Sequence, residues 1–181
     1  MAVGAVAVIS ALRASDDGDN SATVTAPPGK VSTPGVAQPG SKAPDFDLPG
    51  IDGGRVRLAD YAGRPVVLNF WASWCFPCRK EFPELRRIAA DYRDDGLAVI
   101  GVTFRDIDAD SRRFVESMDA TWPQASGGRG DPVAGEYGVI SPPQTFFIAP
   151  DGTIAARSYG ALSNRELRRQ VDRLLQSSQV K

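Results

Sequence analysis

The chain predicts an α/β fold, with a mixed sheet covered by helices on both faces. Three observations lead there. Two apolar runs rich in β-branched residues, 66–71 and 97–104, bracket a long segment of helical periodicity, the pattern of a βαβ unit. A later run, 145–148, turns at Asp151-Gly152 into 153–157 and is followed by an amphipathic helix, so the sheet also needs antiparallel neighbours. The first strand–helix junction carries Cys75-Phe76-Pro77-Cys78, which holds both cysteines of the 181-residue chain.

Each element has its own signal. Arg55-Val56-Arg57-Leu58 alternates after Gly53-Gly54, as a half-buried strand does. Gly63-Arg64-Pro65 leads into the buried strand 66–71. From Cys75 onward Phe82, Leu85, Ile88, Ala89 and Tyr92 recur at helical spacing until Asp94-Asp95-Gly96, which marks the stop. Pro83 falls inside that helix, and its ring and missing N–H predict a kink. Residues 97–104 return as a second buried strand, through a crossover that should be right-handed. Residues 110–118 form a helix turning Phe114, Val115 and Met118 inward, and the Gly- and Pro-rich stretch 121–131 reads as a loop. Ser163-Asn164-Arg165-Glu166 is a capping box opening the last helix, with Leu167, Val171, Leu174 and Leu175 facing the core.

Outside this domain the chain changes character. Residues 2–12 are apolar, lack a preceding basic residue and are too short to span a bilayer. They resemble the tail of a signal h-region, so 1–14 reads either as a truncated signal or anchor segment beginning upstream or as a merely disordered or weakly helical end. Residues 15–41 are poor in large apolar side chains and carry Pro27, Pro28, Pro34 and Pro39, which predicts a disordered tether. The folded domain is expected over 42–177. An apolar end, a tether and a redox domain together suit a protein held at a membrane and facing an oxidising compartment.

Charge excludes one class of function. With 21 basic and 22 acidic residues, there is no footprint for nucleic acid. Arg86-Arg87, Arg112-Arg113 and Arg168-Arg169 sit in helical patterns and read as solvated faces.

The chemistry centres on the cysteines. Cys75 stands at a helix N-terminus, where unpaired N–H groups and the macrodipole favour a thiolate. Cys78 can then close a ring and resolve a mixed disulfide. A zinc site would need further ligands, and the chain has no other cysteine and no histidine. A purely structural staple across so short a loop would gain little entropy. The expectation is a redox-active Cys75–Cys78 disulfide, with no metal and no other cofactor.

Further motifs narrow the reading. Ala43-Pro44-Asp45-Phe46-x-Leu48, residues 58–63, Asn69-Phe70-Trp71-Ala72-x-Trp74-Cys75-x-Pro77-Cys78, Glu81-Phe82-Pro83 and Pro143-Gln144-Thr145-Phe146 occur in order. Together they resemble the thioredoxin superfamily, and more closely the membrane-tethered thiol-disulfide oxidoreductases that assist cytochrome c maturation. The resemblance covers 42–175. It implies a thioredoxin-like fold with extra N-terminal strands and a central insertion between Cys75 and Pro143. It also implies an extracytoplasmic enzyme, tethered to the cytoplasmic membrane or secreted, that reduces protein disulfides, such as that of an apocytochrome c, and is recharged by a membrane thiol-disulfide electron donor; a monomer is expected.

Two features depart from general thioredoxins. Asn69 stands where they carry a buried acid that moves protons for the second cysteine, and Asn cannot titrate. Glu81, one turn beyond Cys78 on the same face, is the candidate replacement, with a pKa raised if it is buried. Its bland alternative is an exposed glutamate complementing the helix dipole. Pro143 resembles the superfamily's cis-proline, which packs beside the cysteines. Relatives present the backbone before that proline to an extended peptide, but Pro142 has no N–H to offer. Trp71 is expected in the core, whereas Trp74 could form either a docking surface or satellite core. Phe76 and Pro77, inside the motif, are expected at the substrate face.

Two other functions compete. Thiol peroxidases share the Ala43-Pro44-Asp45-Phe46 opening but need P-x-x-x-T-x-x-C, and Trp71 and Cys75 occupy the Pro and Thr places before Cys78. A redox-gated or Cu(I)-binding module would use the two thiols without histidine.

Overall fold

Ahead of the central sheet the chain forms a separate two-stranded antiparallel hairpin, β1 (Asp47–Pro49) and β2 (Arg55–Arg57), that pairs Leu48 with Val56. A computed structural model describes residues 36–178 except 129 and 131. The predicted anchor segment and residues 15–35 of the tether lie outside the described residues. Of the rest, Ala37 is buried and bonds Glu136, while Gly40 bonds Ile154, so packed chain is found upstream of Lys42.

The central sheet follows. β3 (Val66–Trp71) runs into α1 (Phe76–Asp91), which returns to β4 (Ala98–Thr103), parallel to β3. Next come α2 (Asp108–Ser117), β5 (Gln124–Ala125) and α3 (Pro132–Glu136). β6 (Gln144–Ile148), β7 (Ile154–Tyr159) and α4 (Asn164–Ser178) complete the domain. The five strands lie in the order β5-β4-β3-β6-β7, with β6 antiparallel to both β3 and β7. The hairpin supplies the extra N-terminal strands, and α2 with β5 is the central insertion. The mixed, doubly covered sheet expected from the pattern is present.

β3 explains its own composition. Val66, Leu68 and Phe70 enter a core with Phe46, Val56, Val133 and Tyr137. Val67 and Trp71 enter another with Phe82, Leu85 and Ile88 of α1, Phe114 of α2 and Leu167, Val171 and Leu174 of α4. A strand buried on both faces needs a continuous apolar run. Burying each of the three α1 side chains stabilises the fold by roughly 1.5–3 kcal/mol.

Several elements differ from expectation. Leu58 does not continue β2 but opens a 3₁₀ turn, Leu58–Tyr61. The stretch 121–131 holds β5, whose Gln124 and Ala125 pair with Gly101 and Val102. Two residues make no periodicity, so the strand was invisible in sequence. α3 is equally short. Helix α1 carries Pro83 inside it, as the sequence placed it. The turn at Asp151-Gly152 is closed by Gly152 N–H to Ala149 O at 2.8 Å, with Gly152 at φ 81°. Ser163 and Glu166 form the capping box: Ser163 N–H donates to Glu166 Oε2 at 2.9 Å and Glu166 N–H to Ser163 Oγ at 3.4 Å.

Candidate active site

The site sits where β3 gives way to α1. Cys75 is the N-cap of the helix in extended conformation (φ −83°, ψ 103°), and its sulfur accepts the N–H of Cys78 at 3.1 Å. That bond uses one of the free donors at a helix start, so the position favours a sulfur carrying negative charge. Pro77 lies in the first turn, where a proline sacrifices no intrahelical bond. Cys75 and Cys78 are joined as a disulfide with Cα atoms 5.3 Å apart. Cys75 keeps 4% exposure and Cys78 none, so an incoming sulfur meets Cys75 first.

Glu81 stands one turn behind Cys78 and is 1% exposed. Its Oε2 accepts from Asn69 Nδ2 at 3.1 Å and its Oε1 from the backbone N–H of Leu162 at 3.0 Å. Burial drives its pKa up to about 7; the two hydrogen bonds, Leu162 first, pull against that shift without cancelling it. The exposed, dipole-complementing alternative is therefore excluded. Asn69 also donates to Thr145 Oγ1 at 2.9 Å, tying β3 to β6 beneath the helix. Glu81 is thus a buried carboxyl, one helical turn from Cys78, with its pKa raised to about 7 by burial, whereas Asn69 cannot titrate.

Pro142–Pro143 is a cis peptide bond. Pro143 is buried and Pro142 half-buried. The C=O of Pro143 accepts from Gly160 N–H at 2.9 Å, which anchors the turn to the end of β7. Trp71 is fully buried, donates to Gln124 Oε1 at 2.9 Å and stacks on Phe114. Trp74 and Phe76 are 59% and 67% exposed, so Trp74 is surface and not satellite core. Lys80 lies over the Phe76 ring at 4.7 Å.

Three participants escaped the sequence reading. Thr145 and the Leu162 N–H lie far along the chain and reach Asn69 and Glu81 only through folding. Asp106 holds Ser73, next to Trp74, through both its N–H and its hydroxyl. An acid before a helix was a usable signal, but Asp106, Asp108 and Asp110 offered it equally. Among the described residues no cluster of His, Cys, Asp or Glu could hold a metal ion. No described helix is long and apolar enough to cross a membrane.

The comparisons agree with this geometry. The model of the AhpC/TSA family matches residues 39–157. The thioredoxin-like protein YneN of Bacillus subtilis is 34% identical over 138 residues, 75% of this chain and 79% of that protein. The thiol-disulfide oxidoreductase ResA of Bacillus thuringiensis subsp. konkukian is 32% identical over 128 residues, covering 71% of this chain and 73% of its own length. A crystal structure assigned as a thiol:disulfide interchange protein DsbE, from Chlorobium tepidum, superposes with a TM-score of 0.71 at 34% identity. It covers 77% of this chain and 99% of that one. A helix-capping cysteine paired with a buried one, on a sheet of this topology and among these relatives, places the chain in the AhpC/TSA family as a thioredoxin-like thiol-disulfide oxidoreductase.

Proposed function

We propose that the protein reduces disulfides of extracytoplasmic proteins, with the haem-attachment cysteine pair of an apocytochrome c as a substrate. The observation that carries the direction is the burial of both Cys78 and Glu81. An apolar setting and a neighbouring carboxylate both disfavour a Cys78 thiolate, and a dithiol that is poorly stabilised gives up its electrons readily. The helix dipole acts on Cys75 in the opposite sense and keeps it nucleophilic.

The exchange balances as follows. The Cys75 thiolate attacks one sulfur of the substrate disulfide, and the other leaves as a thiolate. Cys78 then loses its proton towards the Glu81 carboxylate and attacks Cys75 Sγ. The bond between Cys75 and substrate breaks, releasing the second substrate thiolate. Two electrons pass to the substrate, and Cys75–Cys78 becomes a disulfide. A dithiol donor at the membrane restores it by the reverse exchange. Trp74, Phe76, Pro77 and Pro142 form the face on which the substrate lies, and by its likeness to the superfamily's cis-proline Pro143 takes the place beside the sulfurs. Since Pro142 has no N–H, the peptide loses one backbone partner there, which narrows the range of peptides held.

The reading is tested by titrating the Cys75–Cys78 couple against redox buffers while following tryptophan fluorescence. A potential near or below about −270 mV is expected; one near about −120 mV would make the protein an oxidant and overturn the proposal. With Cys78→Ala, an oxidised Cys-x-x-Cys-His peptide should accumulate as a mixed disulfide on Cys75, visible as the added mass.

A further inference from the structure

Asp106 is buried at 6% exposure and accepts from four donors. Its Oδ2 takes the Ser73 N–H at 2.6 Å and the Ser111 hydroxyl at 2.8 Å, and its Oδ1 takes the Ser73 hydroxyl at 2.8 Å and the Ile107 N–H at 2.9 Å. Charge-assisted bonds of this kind are stronger than neutral ones, and here they join two parts of the fold. Ser73 belongs to the loop between β3 and Cys75, whereas Ile107 and Ser111 belong to the start of the insertion. The strand ladder points the same way: Phe104 N–H bonds Trp71 O at 2.7 Å, and Arg105 then turns the chain at φ 48°.

The residues beside the clamp are notable. Trp74 follows Ser73 and is 59% exposed; Ile107 follows Asp106 and is 50% exposed. The N–H groups of Ser73 and Ile107 are held to one carboxylate, so the backbone leading into Trp74 and the backbone of Ile107 are fixed close together, and Trp74 directly precedes Cys75. Two large exposed apolar groups on one clamp, one of them directly preceding the reactive Cys75, serve no packing purpose. An incoming protein disulfide must bring its flanking residues over this spot to reach Cys75, whereas a small disulfide brings none.

We propose that Asp106 is a positioning residue, which locks Trp74 and Ile107 into one apolar docking edge for the polypeptide flanking a substrate disulfide. This rests on the exchange with protein disulfides proposed above. It assigns the central insertion a part in substrate recognition, since Ile107 and Ser111 come from there. Asp106 itself touches no sulfur and acts through Ser73.

The test compares two oxidised substrates, a Cys-x-x-Cys-His peptide with apolar flanking residues and oxidised glutathione, against reduced wild type, Asp106→Asn, Ile107→Ser and Ile107→Leu. Asp106→Asn replaces one acceptor oxygen by a donor facing donors. Ile107 is exposed, so Ile107→Ser leaves the core intact. Expected is a loss of about tenfold in kcat/KM on the peptide, carried by KM, in Asp106→Asn and Ile107→Ser. That loss should exceed any loss on glutathione at least fivefold, and Ile107→Leu should restore the peptide rate. Equal losses on both substrates, or no loss on the peptide, would overturn the docking edge while leaving the oxidoreductase reading intact. A wild type that exchanges with neither substrate would overturn both.

Discussion

Glu81 shows how one side chain acquires a function from its surroundings. On sequence grounds it was one turn from Cys78, and either an exposed acid or a proton carrier. Its 1% exposure and its bonds from Asn69 and Leu162 decide for the buried carboxyl near pH 7. The proposed role of Glu81 as the base for Cys78 makes a kinetic prediction. Glu81→Gln should slow resolution of the mixed disulfide by on the order of tenfold or more, while attack by Cys75 is spared. Rapid quenching with an alkylating agent would reveal a longer-lived mixed disulfide; an unchanged lifetime would show that the proton leaves Cys78 by another path. Cys75, Cys78, Glu81 and Asn69 were legible because they share one short stretch of strand and helix. Thr145 and the Leu162 N–H were not, because nothing local marks a residue that pairs across the sheet.

At the scale of elements, the insertion is the part whose placement depends on close contacts. Gly127 follows β5 and donates to Thr103 Oγ1 at 2.9 Å. A Cβ there would meet the Thr103 carbonyl oxygen at 2.2 Å. Because that obstacle is backbone, Gly127→Ala must push β5 away from β4, at a cost of roughly 1–3 kcal/mol. Urea denaturation should show the loss as a lower midpoint with an unchanged slope; a midpoint equal to wild type would mean that the seam is pliable. The last helix offers a milder case. Removing the cap hydroxyl with Ser163→Ala should cost about 1 kcal/mol in the same assay. The capping box and the long helices were readable, since a cap motif and a 3.6-residue period are local properties. β5 and α3 were not, being too short for periodicity, and Leu58 left β2 for a 3₁₀ turn although its alternation continued the strand.

For the whole molecule, the burial of Glu81 links stability to pH. Its folded-state pKa, about 7, lies above the unfolded value of 4.5, so the folded protein holds this proton more tightly. The stabilisation is fully present below about pH 4.5 and is lost as pH rises through about 7, amounting to about 3 kcal/mol. The difference in unfolding free energy between wild-type protein and Glu81→Gln, both oxidised, isolates this group from the other carboxylates. Wild type should lose ground to the variant between about pH 4.5 and about 7 and then level off; a difference independent of pH would contradict the buried-carboxyl assignment. By itself the sequence determined the α/β class, the strand–helix junction bearing Cys75 and Cys78, and thus the redox chemistry. Those depend on spacing along a single chain segment, where helix and strand periods are enough. Tertiary structure alone decided that Glu81 is buried, that Trp74 is exposed, and that Asp106 joins the active-site loop to the insertion. Burial and hydrogen-bond partnership belong to groups that meet only after folding, and the pattern around each residue does not carry them.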